Sequence, residues 1–286
     1  MPTLTPNTLV QGATRVPLPY GLFSTFTFRP EGDARWEGGG VRFESLACDL
    51  ADGIGLWQPP AGAGTVGLPK DLASNTSAIG PFGDATAFTV YGHFQCSPVG
   101  WTPEQAQDMA NQHLAAREQN AVENAFWTAA LGNAPALQDA GTVTIGAAGA
   151  GLAQTIGLLE SWIATNYGGV GVIHMTRQAA QMALGQYLLD TAGGRLTTRL
   201  GTPVAAGGGY PGSGPAGQAA AASTSWLYVT PALFGYKSDV FNSSSVSGDL
   251  LDRSTNSLYA VAERQFLLGF DPCGVAAALA TLTAAF

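Results

Sequence analysis

The sequence predicts an α+β protein, and three segments support the prediction. A long helix is expected after Thr102, because Thr is a good N-cap, Pro103 suits the first helical position and Glu104 suits the first turn. The segment 151–189 has the pattern of a helix, a buried strand and a second helix. The segment 256–277 holds two runs of branched and aromatic residues, which favour strands.

The long helix is predicted to run over 103–131 and to end at Gly132 in a left-handed cap. Such a helix has about 29 residues and a length of about 43 Å at 1.5 Å per residue. One face is expected to pack, and the other to stay exposed. The charged residues that we assign to the exposed face are Glu104, Asp108, Arg117, Glu118 and Glu123.

The first third of the chain has few helical signals. Residues 1–34 are predicted to form an extended arm, because five prolines separate short apolar clusters. Residues 35–92 alternate strand-like runs with Gly and Pro breaks, which predicts a long hairpin with an irregular tip.

The remaining elements follow from periodicity and turn residues. They are a helix over 151–166, a strand over 170–174, a helix from Thr176 to Leu189, a glycine-rich loop over 201–217, a strand over 226–230 and a polar turn region over 242–256. The polar island 262–265 divides the last apolar stretch into two predicted strands, and Asp271-Pro272 ends the second.

The composition indicates a protein that is covered by partners. Only 11% of the 286 residues are charged, less than half of the ~25% expected for a soluble domain. The net charge of -8 argues against nucleic-acid binding, which needs clustered Lys and Arg, and it suits the wall of a container for a polyanion as well as it suits any cytosolic protein. We expect no membrane span and no secretory signal.

The cysteines give a further expectation. Cys48, Cys96 and Cys273 are widely spaced and odd in number, so we expect free thiols and a reducing compartment.

Catalytic and binding motifs are weak. Three glycine patterns match the bare dinucleotide spacing but lack a preceding strand and a following helix: Gly62-Gly64-Gly67, Gly207-Gly209-Gly212 and Gly212-Gly214-Gly217. His93 and Cys96 have a metal-like spacing without further paired ligands, and His174 has no nucleophile elbow beside it. We therefore predict no cofactor, no metal, no catalytic residue and no enzymatic role.

Four segments together carry a resemblance to a known family: AREQNAVE at 116–123, GVIHM at 171–175, LYVT at 227–230, and AER at 262–264 followed by DPC at 271–273. With the order of the elements, they resemble the major capsid proteins of tailed bacteriophages with the Hong Kong 97-like fold. The resemblance implies pentamers and hexamers that assemble into an icosahedral shell around double-stranded DNA.

The resemblance also implies a division of the chain. The N-terminal arm would be 1–34 and the extended loop 35–92. A peripheral domain with the spine helix 103–131 would comprise 93–139 and 239–272, and an axial domain would comprise 140–238 and 273–286. The protein would be made in the host bacterial cytoplasm and reside in the virion capsid, and its further partners would be scaffold, portal and decoration proteins.

Candidate inter-subunit contacts follow from the same resemblance. The aromatic candidates are Trp36, Trp57, Phe82 and Phe88, which belong either to an interface or to the core of the subunit itself. Lys70 lies in the predicted loop, where some relatives form Lys–Asn isopeptide bonds, although a plain solvated side chain is the simpler interpretation. Glu263 and Arg264 are expected to form a structural ion pair or a contact between subunits.

Three alternatives stay open at this point. Encapsulin nanocompartments share the fold that the resemblance implies. A soluble α/β enzyme would use the glycine-rich loop 201–217 for its substrate. A tail or decoration subunit fits the composition but predicts no long spine helix.

Overall fold

The computed structural model describes residues 15–30, 35–45, 82–147, 149–242 and 250–282. The helices are α1 Trp36–Gly39, α2 Pro103–Thr128, α3 Leu152–Asn166 and α4 Arg177–Gly185, with short 3-10 turns at Leu22–Ser24 and Pro215–Gly217. The strands are β1 Val41–Glu44, β2 Phe82–Ala85, β3 Ala87–Cys96, β4 Val143–Thr144, β5 Val172–Thr176, β6 Leu189–Ala192, β7 Arg195–Thr198, β8 Val204–Gly207, β9 Thr224–Thr230, β10 Leu233–Lys237, β11 Phe241–Asn242, β12 Leu251–Asp252, β13 Ser257–Phe270 and β14 Ala276–Thr281.

The long helix α2 begins where the sequence predicts. Its cap is a reciprocal box, in which Gln105 N–H donates to Thr102 Oγ1 at 3.3 Å and Thr102 N–H donates to Gln105 Oε1 at 3.0 Å. The predicted end at Gly132 is wrong. Ala129 already takes the left-handed conformation with φ of 55°, and the side chain of Asn133 donates to the carbonyl of Ala125 at 3.1 Å.

Strand β13 is the centre of the first sheet. One edge pairs antiparallel with β3 from Leu258 to Leu267, and the other edge pairs in turn with β12, β11 and β10. The two predicted strands are therefore one continuous strand of 14 residues. The polar island 262–265 does not interrupt β13, because alternate side chains of a strand face opposite sides of the sheet. Glu263 therefore lies on one face and Arg264 on the other.

Helix α2 crosses one face of the β3–β13 pair at close range. A Cβ on Gly92 of β3 would collide with the backbone of Ala110 and Leu114, so glycine is required at this crossing. Leu114, Val122 and Phe126 of α2 are almost fully buried there, in a core that includes Ala260 and Phe266. The helix is held by apolar burial along much of its length.

The second sheet has the order β4-β14-β9-β5-β8, in which β4 is parallel to β14 and β5 is parallel to β8. Helices α3 and α4 cover one face, and the end of α2 packs on the other, where the rings of Trp127 and Tyr228 are 4.8 Å apart. The first four residues of β5, Val172 to Met175, are accordingly all buried, as expected for a strand that is covered on both faces.

The predicted helix 151–166 and the strand 226–230 are confirmed by α3 and β9. Helix α4 starts at its predicted cap, since Thr176 Oγ1 accepts from Ala179 N–H at 3.3 Å. It ends at Gly185, four residues before the predicted Leu189. Leu189 instead begins β6, which turns at Gly193 and Gly194 and pairs with β7.

The base of the predicted loop hairpin is present. Strands β1 and β2 pair antiparallel, with Val41 opposite Ala85 and Glu44 opposite Phe82. The predicted hairpin tip, with Trp57 and Lys70, lies outside the described residues.

The described part of the predicted arm, residues 15–30, lies on its own subunit. Leu22 is fully buried, and the rings of Phe23 and Phe28 lie 5.9 and 6.1 Å from that of Phe266. Arg29 N–H donates to the carbonyl of Gly235 at 2.8 Å.

Candidate assembly surfaces

The face of the β3–β13 sheet that points away from α2 is open over much of its length, and we call it the outer sheet face. Its residues are Thr89, Tyr91, His93 and Gln95 of β3, Tyr259, Val261, Glu263 and Gln265 of β13, and Phe241 of β11. Tyr91 is 63% exposed, Tyr259 45% and Phe241 44%.

Aromatic rings form a row on the outer sheet face. The ring of His93 lies 6.1 Å from that of Tyr91 and 6.2 Å from that of Tyr259. Glu263 is the one Asp, Glu, Lys or Arg residue among the nine that we assign to this face. A surface rich in aromatic side chains and poor in charge has the composition of the buried centre of a protein interface.

The same side of β13 is covered at its other end by the subunit's own hairpin base. Trp36 is 4% exposed, stacks on Tyr236 at 5.8 Å and shares a small core with Leu267. Of the two expectations for Trp36, the structure shows the one that places it in the subunit's core.

The other candidate aromatic residues differ from each other. Phe88 is 7% exposed and its ring lies 6.3 Å from that of Phe266, so it also belongs to the subunit's own core. Phe82 is 51% exposed, with the guanidinium of Arg42 5.2 Å from its ring centre. Phe82 therefore remains available to a neighbour.

Glu263 and Arg264 do not pair with each other, because adjacent strand residues point to opposite faces. Glu263 lies exposed on the outer sheet face. Arg264 points to α2, and its Nη1 donates to both carboxylate oxygens of Glu118, at 3.0 and 2.8 Å. The structural ion pair that we expected for Arg264 is present, but its acid is Glu118.

A second exposed apolar site lies at the mouth of the β6–β7 hairpin. Tyr187 is 77% and Leu200 82% exposed. Arg199 Nε donates to the carbonyl of Tyr187 at 2.8 Å, and its guanidinium pairs with Asp190 at 3.3 Å. These bonds join β6 and the chain before it to the chain after β7 at the open end of the hairpin, beside the two exposed apolar residues.

His174, which has no nucleophile elbow beside it in the sequence, is enclosed in the core. Its Nδ1 and Nε2 each lie 3.0 Å from a hydroxyl, those of Tyr210 and Thr230. Desolvation lowers the pKa of His174 to about 3, and the same burial, with the nearby Glu123 carboxylate, raises the pKa of Tyr210. The imidazole is therefore neutral and has a structural role.

The glycine-rich loop is used for packing. Trp226 N–H donates to the carbonyl of Gly212, and Trp127 Nε1 donates to that of Ser213, each at 3.0 Å. A Cβ on Gly214 would collide with the indole of Trp226. The glycines therefore allow close backbone contacts.

Two of the three cysteines, Cys96 and Cys273, lie in the described residues. Cys273 is in a disulfide, which overturns the expectation of a free thiol there, whereas Cys96 is free and burial raises its pKa. Cys48 lies outside the described residues. In the described ranges, no group of three or more His, Cys, Asp or Glu side chains is arranged to hold a metal ion. No helix in this part of the chain has both the length and the hydropathy to cross a bilayer.

No protein-family model and no curated protein matches this chain. Solved structures do match over almost the whole length. The capsid of a native GTA particle has a TM-score of 0.55 at 12% identity, with 98% of this chain and 96% of that chain covered. The capsid of Myoviridae phage XM1 has a TM-score of 0.50 at 13% identity, with 96% of each chain covered.

The chain has the Hong Kong 97-like capsid fold. A third structure, from Microbacterium phage Oxtober96, agrees with a TM-score of 0.56 at 12% identity, covering 98% of this chain and 96% of that one. The predicted α+β class and the family-level resemblance are thereby confirmed at the level of the fold.

Within this Hong Kong 97-like fold, sequence reasoning missed two acidic residues of α2. Glu118 and Glu123 were both assigned to an exposed face, yet the side chain of Glu118 is 20% exposed and Glu123 is 1% exposed. One weak signal was present in the sequence: the glycine run 207–209, which permits a backbone to approach a helix closely.

Proposed function

We propose that this chain is the major capsid protein of a tailed phage, which assembles through pentamers and hexamers into an icosahedral shell enclosing double-stranded DNA. The observation that carries the proposal is the shared fold over almost the full length of two capsid chains, with TM-scores of 0.55 and 0.50. Near-complete coverage on both sides means that few insertions distinguish this chain from those shell subunits.

The two sheets support the proposed division into domains. The peripheral domain, 93–139 and 239–272, would be built on α2 and the sheet around β13, and the axial domain, 140–238 and 273–286, on the sheet around β9. Strand β10 pairs with β13, so we place the boundary near Leu233 instead of at Asp239. The arm 1–34 and the extended loop 35–92 complete the proposed architecture.

The open surfaces suit repeated self-contact. We propose that the outer sheet face with Glu263, the ring of Phe82 and the mouth of the β6–β7 hairpin contact neighbouring copies in the shell. Trp57 and Lys70 remain proposed contacts of the extended loop. Many moderate interfaces in a closed symmetric assembly add up to a stable particle.

The proposed role is structural and uses no catalytic residue. The net charge of -8 suits a wall that encloses DNA without binding it tightly. We propose the virion capsid as the location, after synthesis in the host cytoplasm, and scaffold, portal and decoration proteins as further partners.

Negative-stain electron microscopy of the expressed chain, with size-exclusion chromatography, tests the proposal. Uniform shells, or rings of five and six subunits, are the expected result. A homogeneous monomer or dimer that stays small at high concentration and high salt would contradict it and favour a soluble enzyme. Shells that consistently enclose one folded cargo protein would instead favour an encapsulin nanocompartment.

A further inference from the structure

A buried carboxylate in the second half of α2 joins two distant segments of the chain. Glu123 is 1% exposed. Its Oε1 accepts from the backbone N–H of Leu22 at 2.9 Å and from Gln119 Nε2 at 3.0 Å, and its Oε2 accepts from the backbone N–H of Gly209 at 2.9 Å. Leu22 belongs to the arm and Gly209 to the glycine-rich loop. Because a buried charge is costly unless it is hydrogen-bonded, these donors are needed to keep the carboxylate in place.

Both segments approach α2 through a glycine. A Cβ on Gly21 would collide with the side chains of Gln119 and Glu123, and a Cβ on Gly209 would collide with the backbone of Asn120 and Asn124. The backbone must therefore lie against the helix at these two points for its N–H groups to reach the carboxylate. This geometry accounts for glycine at both positions.

The arm and the loop are also bound to each other beside the carboxylate. Ala206 N–H, at the end of β8, donates to the carbonyl of Tyr20 at 2.7 Å. Arg177 Nη1 donates to the carbonyl of Pro19 at 2.8 Å and to that of Ala206 at 3.3 Å. Residues 19–22 of the arm are thus held from one side by α2 and from the other by β8 and α4.

A cavity of about 390 Å³ opens beside this junction, and Leu18, Asn120, Glu123 and Gly208 are among its lining residues. Water can reach the carboxylate through this cavity as soon as the arm lifts away. Water molecules would then compete with the backbone N–H of Gly209 as hydrogen-bond donors to the carboxylate. The seating of the arm and of the loop should therefore depend on each other.

We propose that Glu123 is a positioning residue that seats the arm on its own subunit and couples this seating to that of the glycine-rich loop. The carboxylate acts through two backbone N–H groups that no other described side chain binds at this junction. Residues 19–22 of the arm are thereby held at one fixed place on the subunit.

Amide hydrogen–deuterium exchange on the purified, unassembled full chain tests the coupling. Glu123→Gln keeps one acceptor oxygen but presents an NH₂ group to the other N–H donor. We expect exchange to rise about tenfold or more in peptides that contain Leu22 or Gly209, since bonds to a charged acceptor are among the strong ones. Asp108→Asn, an exposed acidic position on the same helix, is the matched control and should leave both peptides unchanged.

A second variant tests the coupling without altering the carboxylate. Gly21→Ala pushes the arm away from α2, and we expect faster exchange at Leu22 and also at Gly209, which Gly21 does not contact. Faster exchange in the arm alone would overturn the coupling, as would a Glu123→Gln protein with wild-type exchange at both sites. Because the measurement uses single subunits, its result is independent of whether the chain forms shells.

Discussion

Arg264 of β13 and Glu118 of α2 form an ion pair in which one guanidinium nitrogen, Nη1, lies 3.0 and 2.8 Å from the two carboxylate oxygens. Both side chains are 20% exposed, so the pair is only partly screened by solvent. The ion pair joins helix α2 to strand β13 through two residues that are 146 positions apart in the sequence.

Removing one partner of this pair should destabilise the subunit. For Arg264→Met we expect a loss of about 1.5–3 kcal/mol in the free energy of unfolding, because Glu118 is left half-buried without its cation. Urea unfolding measures the effect. In the double variant with Glu118→Gln, the loss should be smaller than the sum of the single losses; strict additivity would show that the two residues do not interact.

Acid should destabilise the fold through His174. Burial lowers the folded-state pKa to about 3, while an unfolded histidine titrates near 6.5. Above about pH 6.5 both states are neutral and His174 adds no pH dependence. As the pH falls from there towards 3, the unfolded state binds one more proton, and stability drops by up to about 1.4 kcal/mol per pH unit.

Unfolding by urea between pH 7 and pH 4 checks this prediction. His174→Gln should lower the slope of stability against pH by about one proton, because the unfolded variant no longer binds that proton. If wild type and His174→Gln had equal slopes of stability against pH, His174 would bind its proton equally well in the folded and unfolded states, which would contradict the prediction.

Gly92→Ala should weaken the contact between α2 and the β3–β13 sheet. The added Cβ meets backbone atoms of Ala110 and Leu114, which cannot move aside as a flexible side chain would. We expect a loss of about 1–3 kcal/mol. The control is Gly157→Ala in α3, where a Cβ meets nothing within 4 Å and should stabilise the helix by about 0.5–1 kcal/mol.

Charge on the outer sheet face should block assembly without unfolding the subunit. Tyr91 lies directly opposite Glu263 across the strand pair, so Tyr91→Lys gains an acidic neighbour and should change stability by less than about 0.5 kcal/mol. In an interface, the loss of a central Tyr should raise the critical concentration for assembly about tenfold or more. Light scattering would measure it.

Gln181→Lys, an exposed position on α4, adds the same charge away from the outer sheet face and serves as the control. Normal assembly of the Tyr91→Lys protein would show that this face stays open to solvent in the shell.

Local signals were enough to predict where the helices α2, α3 and α4 start. The cap at Thr102 is specified by its immediate neighbours, as is the cap of α4 at Thr176, and both were found in the sequence. Ends were harder to place. Helix α2 stops at Ala129 because Asn133 bonds back to Ala125, and helix α4 stops early because Leu189 pairs with Thr198.

Tertiary partners explain what the sequence could not predict. The polar island of β13 suggested a break, but Arg264 pairs with Glu118 on one face of the sheet and Glu263 is exposed on the other, so the strand continues. Glu123 has the pattern of a solvated helix residue, and only the folded chain brings the N–H groups of Leu22 and Gly209 to it. Among the candidate contacts, Trp36 and Phe88 are buried by their own subunit, which no local pattern reveals.

The length of β13 has a mechanical consequence. Its ladder with β3 runs from Leu258 to Leu267, and antiparallel hydrogen bonds lie perpendicular to the strands. A force that pulls the two strands along their length would load all of these bonds at once in shear. The short β1–β2 ladder at the base of the hairpin would open one bond at a time if its ends were pulled apart. If the proposed shell loads the two ladders in these directions, the β3–β13 pair would resist stretching and the β1–β2 base would open first.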